Sequence, residues 1–192
     1  IASRITPDSL VLDVGCGEGT PVQQLNAQVS ARYIGFDISK PAIQLASDYN
    51  ADAWFCAADL ARMPFANHQL DTVLNIFSPS QYQEFKRVLK PGGQLIKVVP
   101  NAGYLHELRE LLYHGQAKES YDHGPVLELF AQHFPDYQEM QVQKTMTLTP
   151  ETLRDLVEMT PLTWTASKAQ LAAITLEALP EISLDVTILV GK

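Results

Sequence analysis

The sequence predicts an α/β fold built on a Rossmann-like, doubly wound sheet. Short β-rich runs alternate with helical stretches over the first 100 residues, as βαβ units do. A glycine-rich loop, Gly15-Cys16-Gly17-Glu18-Gly19, separates the first run from a helix. An acid, Asp37, closes the second run, where a carboxylate meets a ribose in open α/β sheets.

Taken in order, Leu10–Val14 is a buried strand. Pro21–Gln28 follows as a helix, with Thr20 as its cap and Pro21 at the first helical position. Arg32–Phe36 is a second strand. Ser39 caps a helix with Pro41 early in it, running to about Tyr49. Ala53–Ala57 is a weak third strand, Thr72–Phe77 a fourth and Gln94–Val99 a fifth, the last after a turn at Lys90-Pro91-Gly92-Gly93. A helix near Ser80–Leu89 separates the last two. Leu105–Tyr113 carries Leu105, Leu108, Leu111 and Leu112 on one helical face. His114–Pro135, rich in Gly, His and Pro, predicts loop with a helical turn or two. Tyr137–Leu148 and Leu184–Val190 alternate as strands, and Pro150–Met159 (capped by Thr149) and Ser167–Ala178 as helices. No repeat or linker interrupts the chain. One domain over 1–192 is the expectation, with a cofactor-binding half to about residue 100 and substrate-side elements beyond.

The chain has 192 residues, enough for one well-buried core. No apolar run is long enough for a membrane span, and no secretory signal opens it. Cys16 and Cys56 form no CxxC pair, so a disulfide framework and a zinc site are not indicated, and a reducing cytoplasm is expected. His106, His114, His123 and His133 fit no compact ligand spacing, so no metal is expected. A formal charge of −8 argues against this domain alone gripping DNA or RNA, because phosphate affinity comes from Lys and Arg.

The glycine loop carries the chemistry. Val11-Leu12-Asp13-Val14-Gly15-Cys16-Gly17-Glu18-Gly19 is a buried strand running into alternating glycines. A cofactor can cross a strand end only where no Cβ blocks it. The dinucleotide fingerprint GxGxxG differs, and Glu18 would repel a pyrophosphate; a ligand with an ammonium and a sulfonium suits this acidic loop better. Asp37 is placed to accept from both ribose hydroxyls. Asp59, in Cys56-Ala57-Ala58-Asp59-Leu60 ahead of Met63-Pro64-Phe65, is placed to accept from an adenine amino group. The competing readings of these motifs are a nucleotide-free Rossmann domain and an NAD enzyme.

These segments, with Leu70-Asp71-Thr72-Val73 and Leu89-Lys90-Pro91-Gly92-Gly93, resemble the class I S-adenosylmethionine-dependent methyltransferases. The resemblance implies their fold, mostly parallel with an antiparallel last strand, and S-adenosylmethionine as cofactor, leaving as S-adenosylhomocysteine. It implies that Asp13, Gly15, Gly17 and Gly19 hold the methionine moiety, Asp37 the ribose, and Asp59 and Leu60 the adenine. Cys16, Glu18, Ile38 and Asn75 complete the cofactor-binding set.

A second resemblance concerns the acceptor. Asn75-Ile76-Phe77-Ser78-Pro79, the segment Tyr104-Leu105-His106-Glu107-Leu108-Arg109-Glu110-Leu111-Leu112-Tyr113, and Met159-Thr160-Pro161-Leu162-Thr163-Trp164 are similar to motifs of the bacterial 23S ribosomal RNA guanine-N1 methyltransferases. This implies an RNA hairpin as substrate, with Phe77, Ser78, Pro79, Tyr104, His106 and Trp164 on the substrate side. Two departures stand out. That family carries an N-terminal zinc-binding domain implicated in RNA recognition, absent from a sequence opening at Ile1, so ribosomal RNA is expected to be met through a missing upstream domain. The family also favours His at position 104 and an aromatic at 162. A homodimer is left open.

Simpler readings stand beside these. Trp164 is expected to pack rather than stack, Ser78-Pro79 could be a plain turn, and Cys16 reads as a packing residue rather than a nucleophile. N1 of guanine must lose a proton, and the base is not identified; Asn75 (orienting only), His106 and Glu107 are the candidates. A small-molecule or carrier-bound acceptor is the alternative function, a non-catalytic cofactor-binding module the third.

Overall fold

The computed structural model describes residues 1–115 and 123–192. Among these, the strands are β1 (Leu10–Val14), β2 (Arg32–Asp37), β3 (Trp54–Ala57), β4 (Leu70–Ile76), β5 (Leu89–Pro100), β6 (Gln138–Thr147) and β7 (Glu181–Gly191). They form one sheet in the order β3-β2-β1-β4-β5-β7-β6. β1 pairs in parallel with β2 and β4, β2 with β3, and β4 with β5. The sheet is antiparallel toward its end, matching the expected class. The chain winds outward from β1 through β2 to β3, then returns to β4 on the other side. β1 and β4 therefore flank the topological switch point, where open α/β sheets bind ligands beyond the strands' carboxyl ends.

The helices are α1 (Thr20–Asn26), α2 (Lys40–Tyr49), α3 (Tyr82–Val88), α4 (His106–Tyr113), α5 (Gly124–His133), α6 (Pro150–Met159) and α7 (Lys168–Ala172). Several expectations need correction. The cap of α1 is Gly19, at φ 85°, not Thr20; the Thr20 hydroxyl instead donates to Glu18 Oε1 at 2.7 Å. The turn at residues 90–93 is a bulge inside β5: Leu70 aligns with Leu89 but Thr72 with Gln94, and Gly92 takes φ +78° to absorb the extra length. Where a helical turn or two was expected within the loop over His114–Pro135, a ten-residue helix, α5, forms, because Phe130 supplies a buried anchor that composition did not reveal. Residues 116–122 of that loop lie outside the described residues. The helix expected over Ser167–Ala178 ends at Ala172.

The chain divides into two compact units. The first holds residues 1–98, 129–139 and 188–192. Its strands bury Val11, Leu12, Phe36, Val73, Leu74, Leu95 and Ile96. Tyr82 and Phe85 of α3 join Phe130 and Phe134 in an aromatic cluster, with Tyr82 edge-on to Phe130 at 6.2 Å. Two acids brace this unit, Asp71 of the Leu70-Asp71-Thr72-Val73 motif and Glu84 of α3. Asp71 accepts from Leu10 N at 2.8 Å and Lys90 Nζ at 2.7 Å, joining the starts of β1, β4 and β5. Glu84 receives Met63 N, and Arg87, paired with Glu84, donates to the Met63 and Phe65 carbonyls, which pins the Met-Pro-Phe segment.

The second unit holds residues 99–128 and 140–187. Its core joins Leu105, Leu108, Leu112 and Tyr113 to Leu148, Leu153, Leu179 and Ile182. α6 and α7 each open with a capping box, from Thr149 and Ser167. Glu107 receives Ser183 N at 3.0 Å and Ser183 Oγ at 2.5 Å.

Candidate active site

The carboxyl ends of β1, β2, β3 and β4, on both sides of the switch point, contribute to a single cleft. Val14–Gly15 follow β1, Phe36–Ile38 close β2, Ala58–Ala61 follow β3, and Phe77–Gln81 follow β4. The cleft measures about 530 Å³, within the roughly 300–1,000 Å³ usual for small-molecule sites. Exposed Ile38 and Phe77 give it apolar walls.

The loop after β1 has to be glycine where it touches its neighbours. Gly15 has φ +69°, and a Cβ there would lie 2.8 Å from Ser78 Cβ. Gly19 has φ +85°, and a Cβ would lie 2.9 Å from Asn50 Nδ2 and 3.1 Å from Phe55. The N–H groups of Gly15 and Cys16 both donate to Phe36 O, which folds the loop back onto β2. Cys16 is buried, and burial, with Asp13 and Asp37 nearby, pushes its thiol up to about 12, which disfavours the thiolate.

The acids are arranged around that loop. Asp37 accepts from Gly17 N at 3.1 Å through Oδ2 and from Ser39 N at 2.9 Å through Oδ1. Each oxygen has a second lone pair, so a diol can add to these bonds without displacing them. Asp59 accepts from Ala61 N at 2.8 Å. Asp13 is 1% exposed, and its Oδ2 has no hydrogen-bond partner among the described residues. Burial first, then Asp37 and Glu18, push its carboxyl up to about 7. An orphaned buried oxygen in an acidic loop fits a ligand carrying positive charge, and S-adenosylmethionine carries it.

Of the residues expected on cofactor and substrate, Gly15, Asp37, Ile38, Asp59, Leu60, Phe77, Ser78 and Pro79 line the cleft together. Asn75 does not. It is fully buried, and its amide donates to Ser78 O, Ser78 Oγ and Pro79 O at 2.6–3.2 Å. Ser78 Oγ in turn donates to Val14 O at 2.6 Å. Asn75 thus holds the loop after β4, in which Phe77 takes φ +52°, a strained region for an aromatic residue. Ser78-Pro79 is therefore a braced wall of the cleft.

Tyr104, His106 and Trp164 lie in the second unit. Tyr104 is partly buried against that unit's core. His106 is exposed, its Nδ1 3.2 Å from Gly103 O. Trp164 is 72% exposed, which corrects the expectation that it packs. Glu107, a candidate base, is committed to Ser183; against the cost of burial, those bonds hold its carboxyl below the usual range, which makes it a poor proton acceptor.

Sequence reasoning missed Lys97, Ser80 and Gln81. Ser80 and Gln81 line the cleft. Lys97 is 4% exposed and donates to Asn75 Oδ1 at 2.5 Å and Ser80 Oγ at 2.9 Å. One signal was available: Lys97 stands alone in the apolar run Leu95-Ile96-Lys97-Val98-Val99, and a buried strand tolerates a lysine only if it is used.

Residues 11–93 match the family described as a methyltransferase domain. YxjB of Bacillus subtilis (strain 168), provisionally named a 23S rRNA (guanine-N1)-methyltransferase, is 39% identical over 185 residues, covering 94% of this chain and 66% of that protein. The 23S rRNA (guanine(748)-N1)-methyltransferase of Streptomyces fradiae is 29% identical over 190 residues, covering 97% and 67%. The chain thus spans about two thirds of the length of these relatives. Among solved structures, YcgJ of Bacillus subtilis superposes with a TM-score of 0.63 at 16% identity, covering 98% of this chain and 93% of that one, which shows a shared fold. With the glycine loop, the acids and the domain match in agreement, the chain belongs to the class I S-adenosylmethionine-dependent methyltransferases and resembles the 23S rRNA guanine-N1 methyltransferases among them.

Proposed function

We propose that this protein transfers the methyl group of S-adenosylmethionine to N1 of a guanine in 23S ribosomal RNA, in the cytoplasm. The observation that carries this reading is the extent of the likeness to YxjB. It reaches 94% of the chain, far beyond the residues that any methyltransferase needs to bind cofactor.

The bound cofactor supplies a methyl group already activated by sulfonium, so the chain's task is positioning. Asp13 and the glycine loop hold the cationic end, Asp37 the ribose diol, and Asp59 with Ile38 and Leu60 the adenine. Asn75, through Ser78 and Pro79, fixes the wall against which an unstacked guanine lies, with Phe77 as a stacking surface. Exposed Trp164 offers a second aromatic face for RNA.

The test incubates the full-length gene product with labelled S-adenosylmethionine and unmodified 23S ribosomal RNA, then identifies the labelled nucleoside. Label in 1-methylguanosine is expected. Cofactor binding with no labelled nucleoside rejects the RNA reading. The net charge of −8 favours a second reading, a small-molecule or carrier-bound acceptor, and that outcome would select it.

A further inference from the structure

We infer that Ser80 and Lys97 form a relay that accepts the N1 proton of the acceptor guanine; the inference rests on the guanine reading above. β4 and β5 run in parallel with Asn75 beside Lys97, which turns both side chains to one face of the sheet. Lys97 Nζ reaches Ser80 Oγ at 2.9 Å, and Ser80 also bonds Asn75 Oδ1 at 3.0 Å. Ser80 lines the cleft. Its hydroxyl therefore connects the space where the acceptor lies to a buried amine. A hydroxyl rotates freely between acceptors, so it can take a proton on one side and give one on the other.

Lys97 has no carboxylate partner among the described residues, and its burial alone lowers its pKa to about 8. Bracing the loop would need only a neutral donor; a buried lysine with no acid beside it is a costly way to do that. The groups on the packed elements are otherwise engaged. On α3, the Tyr82 hydroxyl bonds Ser80 and burial raises its pKa, Glu84 and Arg87 pair with each other, and Lys86 lies over the Phe134 ring. Asp71, at the far end of β4, pairs with Lys90, and Asp185 of β7 accepts from Asn101.

In the step, guanine N1 forms its bond to the methyl carbon while the carbon–sulfur bond breaks and its electron pair stays on sulfur. The N1 proton moves to Ser80 Oγ as the Ser80 proton moves to the neutral Lys97 amine. The methylated base is left neutral, and Lys97 holds the proton as an ammonium until it exchanges with solvent.

The experiment measures kcat against pH for the full-length protein on unmodified 23S ribosomal RNA, comparing wild type with Ser80→Ala and Lys97→Met. S-adenosylhomocysteine binding reports that each variant is folded. Wild-type kcat should rise through a midpoint near the Lys97 value of about 8. Both variants should lose on the order of 100-fold in kcat, with little change in KM and the midpoint displaced upward toward guanine's own ionisation. Should Lys97→Met not fold, Ser80→Ala decides, because it leaves the bond between Lys97 and Asn75 in place. A loss of rate with the wild-type profile retained, or no loss at all, while 1-methylguanosine still forms, overturns the relay and leaves the guanine reading intact. A wild type that binds cofactor but makes no 1-methylguanosine overturns the guanine reading itself, and the relay with it.

Discussion

In the proposed cofactor site, Asp13 and Asp37 would act through different physics. Asp13 is costly in the free protein, because its carboxyl is held near 7 by burial, Asp37 and Glu18. A folded-state pKa above the unfolded value of 3.8 means that the native state binds more protons between pH 4 and 7, so stability falls as pH rises through that window. Asp13→Asn should therefore raise the melting temperature of the ligand-free protein at pH 8 much more than at pH 4, while weakening cofactor affinity; thermal unfolding at the two pH values checks the first part. A cationic ligand restores the ionised form, so binding near pH 7 should release protons and tighten between pH 6 and 8, read by calorimetry in buffers of different ionisation enthalpy. Asp37 instead is satisfied by Gly17 N and Ser39 N before any ligand arrives. Asp37→Ala removes charge-assisted bonds and should lower S-adenosylhomocysteine affinity on the order of 10- to 100-fold, measured by the same titration.

At the scale of elements, the site depends on two loops pressed together at the switch point. Gly15→Ala would combine φ +69° with a Cβ 2.8 Å from Ser78. It should cost about 1–3 kcal/mol in urea unfolding, and a greater share of cofactor affinity, because the displaced Ser78 is a wall of the cleft. Thr149→Ala makes the contrasting test. It removes the capping box of α6 in the second unit and should cost about 1 kcal/mol, with cofactor affinity unchanged by calorimetry.

For the whole molecule, charge constrains how RNA is met. With −8 formal charge, this chain has few cations to spare for phosphates. Its own affinity for a ribosomal RNA hairpin should fall only shallowly with salt, corresponding to release of fewer than about three counterions; filter binding across a salt series checks this. A steep slope would mean that the chain grips the backbone through its few basic residues after all.

How much of this was legible in the sequence follows from the range of each interaction. The first five strands, the glycine loop, Asp37 and Asp59 could be read because they rest on local periodicity and on backbone conformations that few residues tolerate. Where the signal was short, it misled: Gly19 rather than Thr20 caps α1, because the left-handed loop ends on the helix itself, and a turn became a bulge, because β4 and β5 had to stay in register. α5 was hidden because its anchor, Phe130, packs against residues such as Tyr82, nearly fifty positions away. The sequence by itself determined the fold class, the methyltransferase family and its cofactor, and it marked the acids at the strand ends. Only the tertiary structure decided that Asn75 braces the Ser78-Pro79 loop, that Glu107 is tied to Ser183, and that Lys97 sits buried behind Ser80. Each of these depends on partners that pairing across the sheet, or packing of distant segments, brings within hydrogen-bond reach, and burial then sets the charge that each group can hold.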